Sequence, residues 1–165
     1  MAGVVRVGIG VDVHRLEAGR RLVLGGVEIP HDRGLVGWSD GDVLVHAVMD
    51  AALGAAGLPD IGTYFPPGDE HYRDARSLDL LTEVRRRVEE RGYRVVQVDS
   101  VILAEAPRLG PHIPRMRARL AEVLGIPMED VSVKATTAEG LGALGRGEGI
   151  QALAVVLLRR ATEDA

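Results

Sequence analysis

The sequence predicts an α+β (mixed α/β) domain, one mixed β-sheet with helices stacked on it. Three observations lead there. Residues 4–14 alternate in strand fashion, with Val5, Val7, Ile9, Val11 and Val13 on one side and Arg6, Gly8, Gly10, Asp12 and His14 on the other. Segments near 41–57, 77–91 and 115–124 carry apolar residues at helical spacing. The elements then run strand, hairpin, helix, helix, strand, helix, strand, strand, which fits a sheet covered by helices.

In chain order, residues 21–29 read as two short strands joined by Gly25-Gly26, a hairpin signal. A polar loop follows over 31–42. The helix at 41–57 has Ser39 or Asp40 as its expected cap. A second loop covers 58–76. The helix from Ser77 to Arg91 stops at Gly92, and the one at 115–124 stops at Gly125. Strands are expected at 94–105, 131–136 and 150–159. The segment 106–114 is a Pro/Gly-rich loop, and 137–149 is a loop containing a helical turn. A single catalytic domain over 1–165 is expected, with no internal repeat or linker.

Composition narrows the function. The 165 residues include no cysteine, so disulfides, thiolate metal sites and cysteine nucleophiles drop out, and any zinc must be held by His and carboxylate. The net charge of -4 and 3% aromatic content argue against a nucleic-acid binder, which needs a basic face and often stacking platforms. No apolar run reaches the roughly 18 residues of a membrane span, and the start lacks a signal-peptide pattern, so no membrane contact and a cytoplasmic protein are expected. One Lys among 20 basic residues, with no Asn or Cys, fits a thermophile or high-GC codon usage.

Five patterns carry candidate chemistry. Asp12 and His14 lie two apart on a strand and project to one face, as metal ligands or as a solvated polar face. His46 sits on an apolar helix stripe with Asp42 and Asp50 four residues either side, and either carboxylate is placed to orient the imidazole. With Asp12 and His14 it makes three ligands, the catalytic zinc pattern with one position open. Ser39 and Asp42 have capping-box spacing, which fits a plain helix start or a phosphate-binding helix N-terminus. Lys134, Thr136, Thr137 and Glu139 sit where a strand gives way to a glycine-rich turn, a setting that suits phosphate and a hard cation. Arg146 and Glu148, between glycines, fit an ion pair in a turn.

The motifs GVDVHRL, SDGDVLVHAVMDAALGAAGLPDIGTYFP, APRLGPHIPRM and VKATTAEGLGALGRGEGI, in that order from Arg6 to Leu158, resemble the 2-C-methyl-D-erythritol 2,4-cyclodiphosphate synthase family. The resemblance implies a homotrimer with active sites between subunits, acting on 4-diphosphocytidyl-2-C-methyl-D-erythritol 2-phosphate. The 2-phosphate attacks the β-phosphorus, a cyclic diphosphate forms and CMP leaves. By this likeness Asp12, His14 and His46 hold zinc, and Glu139 holds magnesium or manganese. Ser39 and Thr137 contact the diphosphate, and Asp60, Ile61 and Gly62 hold the methylerythritol part. Ala104, Arg108, Leu109 and Gly110 form the cytidine pocket with Lys134 and Thr136 nearby, and Arg146 joins the substrate set. Trp38 stands where many members carry His. It offers an indole N–H but no titratable ring, and it falls with Ser39, Thr137 and Glu139 in the implied catalytic set. Pro67 replaces a common Asp, and Ala143 replaces an aromatic on the trimer axis. Metal-dependent hydrolysis, or binding without turnover, are the alternatives on the same residues.

Overall fold

The computed structural model describes residues 4–161, so the first three and last four residues of the expected domain lie outside it. The first strand, β1 (Val5–Ala18), is longer than its alternating core suggests. It continues because its far end pairs antiparallel with β4 (Arg33–Leu35), in a stretch the sequence reads as loop. The hairpin forms as expected, β2 (Leu22–Leu24) against β3 (Val27–Ile29). It makes a separate two-stranded sheet, however, so the sheet is not single.

Helix α1 (Val43–Ala55) is capped by Asp42, not by Ser39 or Asp40. The Asp42 carboxylate is fully buried and accepts N–H bonds from Val45, Gly25 and Gly26. One side chain therefore both starts the helix and ties down the hairpin turn. A short helix α2 (Ile61–Tyr64) interrupts the expected loop, capped by Asp60. It escapes periodicity analysis because a single turn shows no repeat.

Helix α3 (Ser77–Glu90), strand β5 (Tyr93–Leu103), helix α4 (Ile113–Leu124) and strand β6 (Val131–Thr136) fall within a few residues of expectation. Gly125 ends α4 in the left-handed conformation, φ 67°. A one-turn helix α5 (Gly142–Gly145) and strand β7 (Gly149–Arg160) complete the described chain.

The main sheet has the order β4-β1-β7-β5-β6. Only β5 and β6 are parallel, which makes the sheet mixed. Register separates its two faces cleanly. Ala152, Ala154, Val156, Val98, Ile102, Val131 and Val133 point to the helices and are buried. The opposite face is open: Val7 is 64% and Ile9 67% exposed, flanked by Val5, Val11, Val13 and Val155. The apolar side of β1 thus faces away from the helices, and its glycine side faces α1.

That inversion has a steric cause. A Cβ on Gly8 would lie 1.9 Å from the Ala51 carbonyl oxygen, and one on Gly10 1.9 Å from that of Ala47. Backbone packs on backbone there, which only glycine permits. We expect Gly10→Ala to lower stability by roughly 3 kcal/mol, at the upper end of overpacking costs. Urea unfolding checks this, and an unchanged midpoint would contradict the close packing.

Candidate metal centre and ligand pocket

Close packing of α1 on β1 delivers His46 over the end of the strand. Asp12 and His14 project from the same face as Gly8 and Gly10, so all three candidate ligands meet. His14 Nε2 lies 2.7 Å from Asp12 Oδ2, His46 Nδ1 lies 2.9 Å from the same oxygen, and the two nitrogens are 3.2 Å apart. A tetrahedral ion with bonds of roughly 2.0–2.1 Å holds its ligand atoms about 3.3 Å apart, so these donors fit a metal with slight spreading. The donor set is one carboxylate and two imidazoles, and all three atoms face one point.

Each imidazole is held from behind. His14 Nδ1 donates to the Val36 carbonyl, which leaves Nε2 for the metal. Behind His46 the sequence expectation fails. Asp50 accepts instead from Ile61 N–H at 2.9 Å, and Asp42 is committed to the backbone. The groups at His46 Nε2 are two buried hydroxyls, Ser77 at 3.0 Å and Ser39 at 3.1 Å. The sequence gives no signal for Ser77, which lies 31 residues from His46.

Burial alone would raise the Asp12 carboxyl, but hydrogen bonds and charge from His14 and His46 hold it down to about 2. Burial opposes charge on His14, yet Asp12 and the Val36 carbonyl raise its pKa above the ordinary histidine value.

The trio lies in the wall of a cavity of about 200 Å³, with Trp38, Ser39, Met49, Ile61, Gly62, Phe65, Pro67 and Tyr72 also lining it. Asp60 stands beside it as the α2 cap, its Oδ1 accepting from Thr63 N–H and Oγ1. Trp38 has a defined task. Its indole N–H donates to the Asp69 carbonyl at 2.7 Å, its own carbonyl accepts from Asp74 N–H, and Arg73 lies over its ring. The ring thereby clamps the 65–74 loop that forms the far wall. The helix N-terminus offers no phosphate seat, because the Asp42 carboxylate already fills it.

The remaining candidates gather elsewhere. Ala104, Arg108, Leu109, Gly110, Thr136 and Thr137 line a second cavity of about 360 Å³ at the ends of β5 and β6. Glu105 shapes the adjoining turn by accepting N–H bonds from Ala138 and Gly140. Glu139 is exposed there with a left-handed backbone, φ 53°. Lys134 pairs with Asp99, and Arg146 with Glu148 at 2.6 Å, the ion pair the turn suggests. β6 is three strands from β1, on the order of 14 Å. Lys134 and Thr136 also point to the open face, opposite Asp12 and His14. One chain does not bring the two groups together.

The fold and trio define a class: an α+β domain with two histidines and one carboxylate that could hold a metal ion, beside a cavity. Residues 5–159 match the model of the YgbB family, and the chain belongs to that family. It is 62% identical over 154 residues to 2-C-methyl-D-erythritol 2,4-cyclodiphosphate synthase of Moorella thermoacetica, across 93% of this chain and 94% of that one. A solved 2C-methyl-D-erythritol-2,4-cyclodiphosphate synthase in its CDP-bound form aligns with TM-score 0.86 at 42% identity, over 93% of this chain and 99% of its own. The bifunctional IspDF of Campylobacter jejuni aligns with TM-score 0.92 at 39% identity over 96% of this chain, which spans 43% of that protein's length. Among the described residues no helix is long and apolar enough to cross a membrane.

A metal at the trio needs neutral imidazoles, and a proton competes for His14. Because the His14 pKa is raised, protons compete from above the usual histidine range. We expect affinity for a divalent transition-metal ion to fall as pH drops through the His14 pKa, which lies above the ordinary histidine value. Chelator competition across that range measures it. Affinity independent of pH would show that His14 is not a ligand.

Proposed function

We propose that this protein is a 2-C-methyl-D-erythritol 2,4-cyclodiphosphate synthase. It converts 4-diphosphocytidyl-2-C-methyl-D-erythritol 2-phosphate to the cyclic diphosphate and CMP, in isoprenoid precursor synthesis. The observation behind this reading is the convergence of Asp12, His14 and His46 beside a cavity, in a chain so similar to proteins of that name.

The roles proposed are those that the family resemblance implies. Asp12, His14 and His46 hold zinc, and Glu139 holds magnesium or manganese. When bound, these cations neutralise and polarise the phosphates. Ile61 and Gly62, with Asp60 fixing their turn, shape the wall for the methylerythritol part. Ala104, Arg108, Leu109 and Gly110 take the cytosine and ribose, with Lys134 and Thr136 at the edge. Ser39 and Thr137 contact the diphosphate, and Arg146, paired with Glu148, joins the substrate set. No side-chain nucleophile is required, because the substrate brings its own phosphate oxygen. The protein's work is to align two anionic groups and to exclude water from the apolar cavity.

A homotrimer with shared sites is supported by two features. The metal trio and the second cavity lie on separated parts of one chain. The open face exposes Val5, Val7, Ile9, Val11, Val13 and Val155 side by side, an apolar patch of the kind that marks a protein–protein interface. A closed ring buries that face and lets one chain's second cavity complete its neighbour's metal site.

Phosphorus NMR of the product tests the reaction. We expect the cyclic diphosphate and CMP in equal amounts, whereas a linear bisphosphate would mean hydrolysis. His46→Ala should lose zinc and at least about a hundredfold in turnover. Wild-type activity in that variant without metal would reject the site.

Glu139→Gln should keep its zinc, turn over more slowly and need more magnesium. An unchanged magnesium dependence would reject its role. Light scattering should give three times the 17.6 kDa chain mass. Mixed trimers of His46→Ala and Arg108→Glu chains should regain activity. An active monomer, or no recovery in proven mixed trimers, would reject shared sites.

A further inference from the structure

The loop before α1 and the start of α3 are laced together by one carboxylate. Asp40 Oδ2 accepts from Ser77 N–H at 3.0 Å, so Asp40 satisfies a free N–H at the α3 N-terminus. Its Oδ1 lies 2.5 Å from Ser77 Oγ and also accepts from Asp42 N–H. Asp40 N–H donates in turn to the Ala75 carbonyl. Ser77 is fully buried, and its Oγ stands 3.0 Å from His46 Nε2.

Proton counting fixes the direction of these bonds. An ionised carboxylate only accepts, and a serine hydroxyl has one proton to give. At 2.5 Å from Asp40, the Ser77 hydroxyl gives that proton to the carboxylate. Ser77 Oγ then has only lone pairs to offer His46, so Nε2 must carry a proton. When a metal is bound, Nδ1 is the nitrogen left to ligate it; without one, Nδ1 donates to the Asp12 carboxylate 2.9 Å away.

We infer that Asp40 and Ser77 are positioning residues. Together they form a carboxylate–hydroxyl–imidazole relay that holds His46 in the tautomer and ring orientation needed to ligate metal through Nδ1. Neither residue touches the metal or the substrate. The relay also separates the duties of the two serines at Nε2. Ser77 spends its proton on Asp40, while the Ser39 hydroxyl keeps its own proton for the cavity it lines. The carboxylate acts through a hydroxyl because α3 enters between Asp40 and His46 and places Ser77 there. This inference rests on the reading that Asp12, His14 and His46 hold a metal.

The test uses full-length wild type, Ser77→Ala, Asp40→Asn and His46→Ala, each metal-free and zinc-loaded. Ser77→Ala keeps the backbone N–H that Asp40 caps and removes only the hydroxyl. Asp40→Asn presents an amide that can donate to Ser77 Oγ, which frees the serine proton to face Nε2. Zinc affinity is read by competition with a fluorescent chelator, the His46 ring tautomer by nitrogen-15 NMR, and folding by urea midpoint.

We expect wild type to carry a proton on Nε2 in both states, with Nδ1 free of one only when zinc is bound. Both relay variants should bind zinc about ten- to a hundredfold more weakly while folded, with their metal-free Nε2 less protonated than in wild type. Zinc affinity within about twofold of wild type and unchanged Nε2 protonation in both variants would overturn the relay. If His46→Ala binds zinc as tightly as wild type, the metal reading itself fails. The metal-free Nε2 still judges the relay in that case, and an unprotonated Nε2 in wild type would overturn it.

Discussion

The structure depends on the approach of α1 to β1 through Gly8 and Gly10. A helix normally stands off from a sheet by the length of the side chains between them. Here Ala47 and Ala51 meet bare backbone, and the helix sits close enough for His46 to reach ligands on the strand itself. Larger residues at the two glycines would lift the helix and open the trio. The same close fit sends the valines of β1 outward, so metal site and open apolar face have one cause.

A second layer of constraint fixes where α1 begins. Asp42 ends the approach loop, caps the helix and holds the Gly25-Gly26 turn through three backbone N–H groups. Asp40, two residues earlier, fastens the start of α3. Adjacent acids of one short motif therefore set two helices and a hairpin around the same imidazole. Trp38 extends that motif outward and pins the loop that walls the cavity.

Much of this was legible in the sequence because it is periodic or local. Strand alternation put Asp12 and His14 on one face, helical spacing marked His46 as inward, and Gly92 and Gly125 announced helix ends. What stayed hidden has physical reasons. β4 is three residues around Gly34, which passes so close to Arg21 that a Cβ would lie 2.1 Å from its carbonyl oxygen, and no pattern develops over that length. α2 is a single turn. Partners behind His46 were sought at helical spacing, but they arrive from Ser77 on another helix. The outward direction of the β1 valines was equally hidden, since alternation separates two faces without saying which one is covered.

The sheet also acts as a partition. The metal trio lies on its helix side, while Lys134 and Thr136 look out from the open side three strands away. Substitutions that retune one set have no direct contact through which to disturb the other in the same chain. Within one chain, the wall of the second cavity can therefore change shape without moving Asp12, His14 or His46. The Gly8–His14 strand has no such freedom, because close packing at Gly8 and Gly10 and the candidate ligands Asp12 and His14 alternate along one backbone.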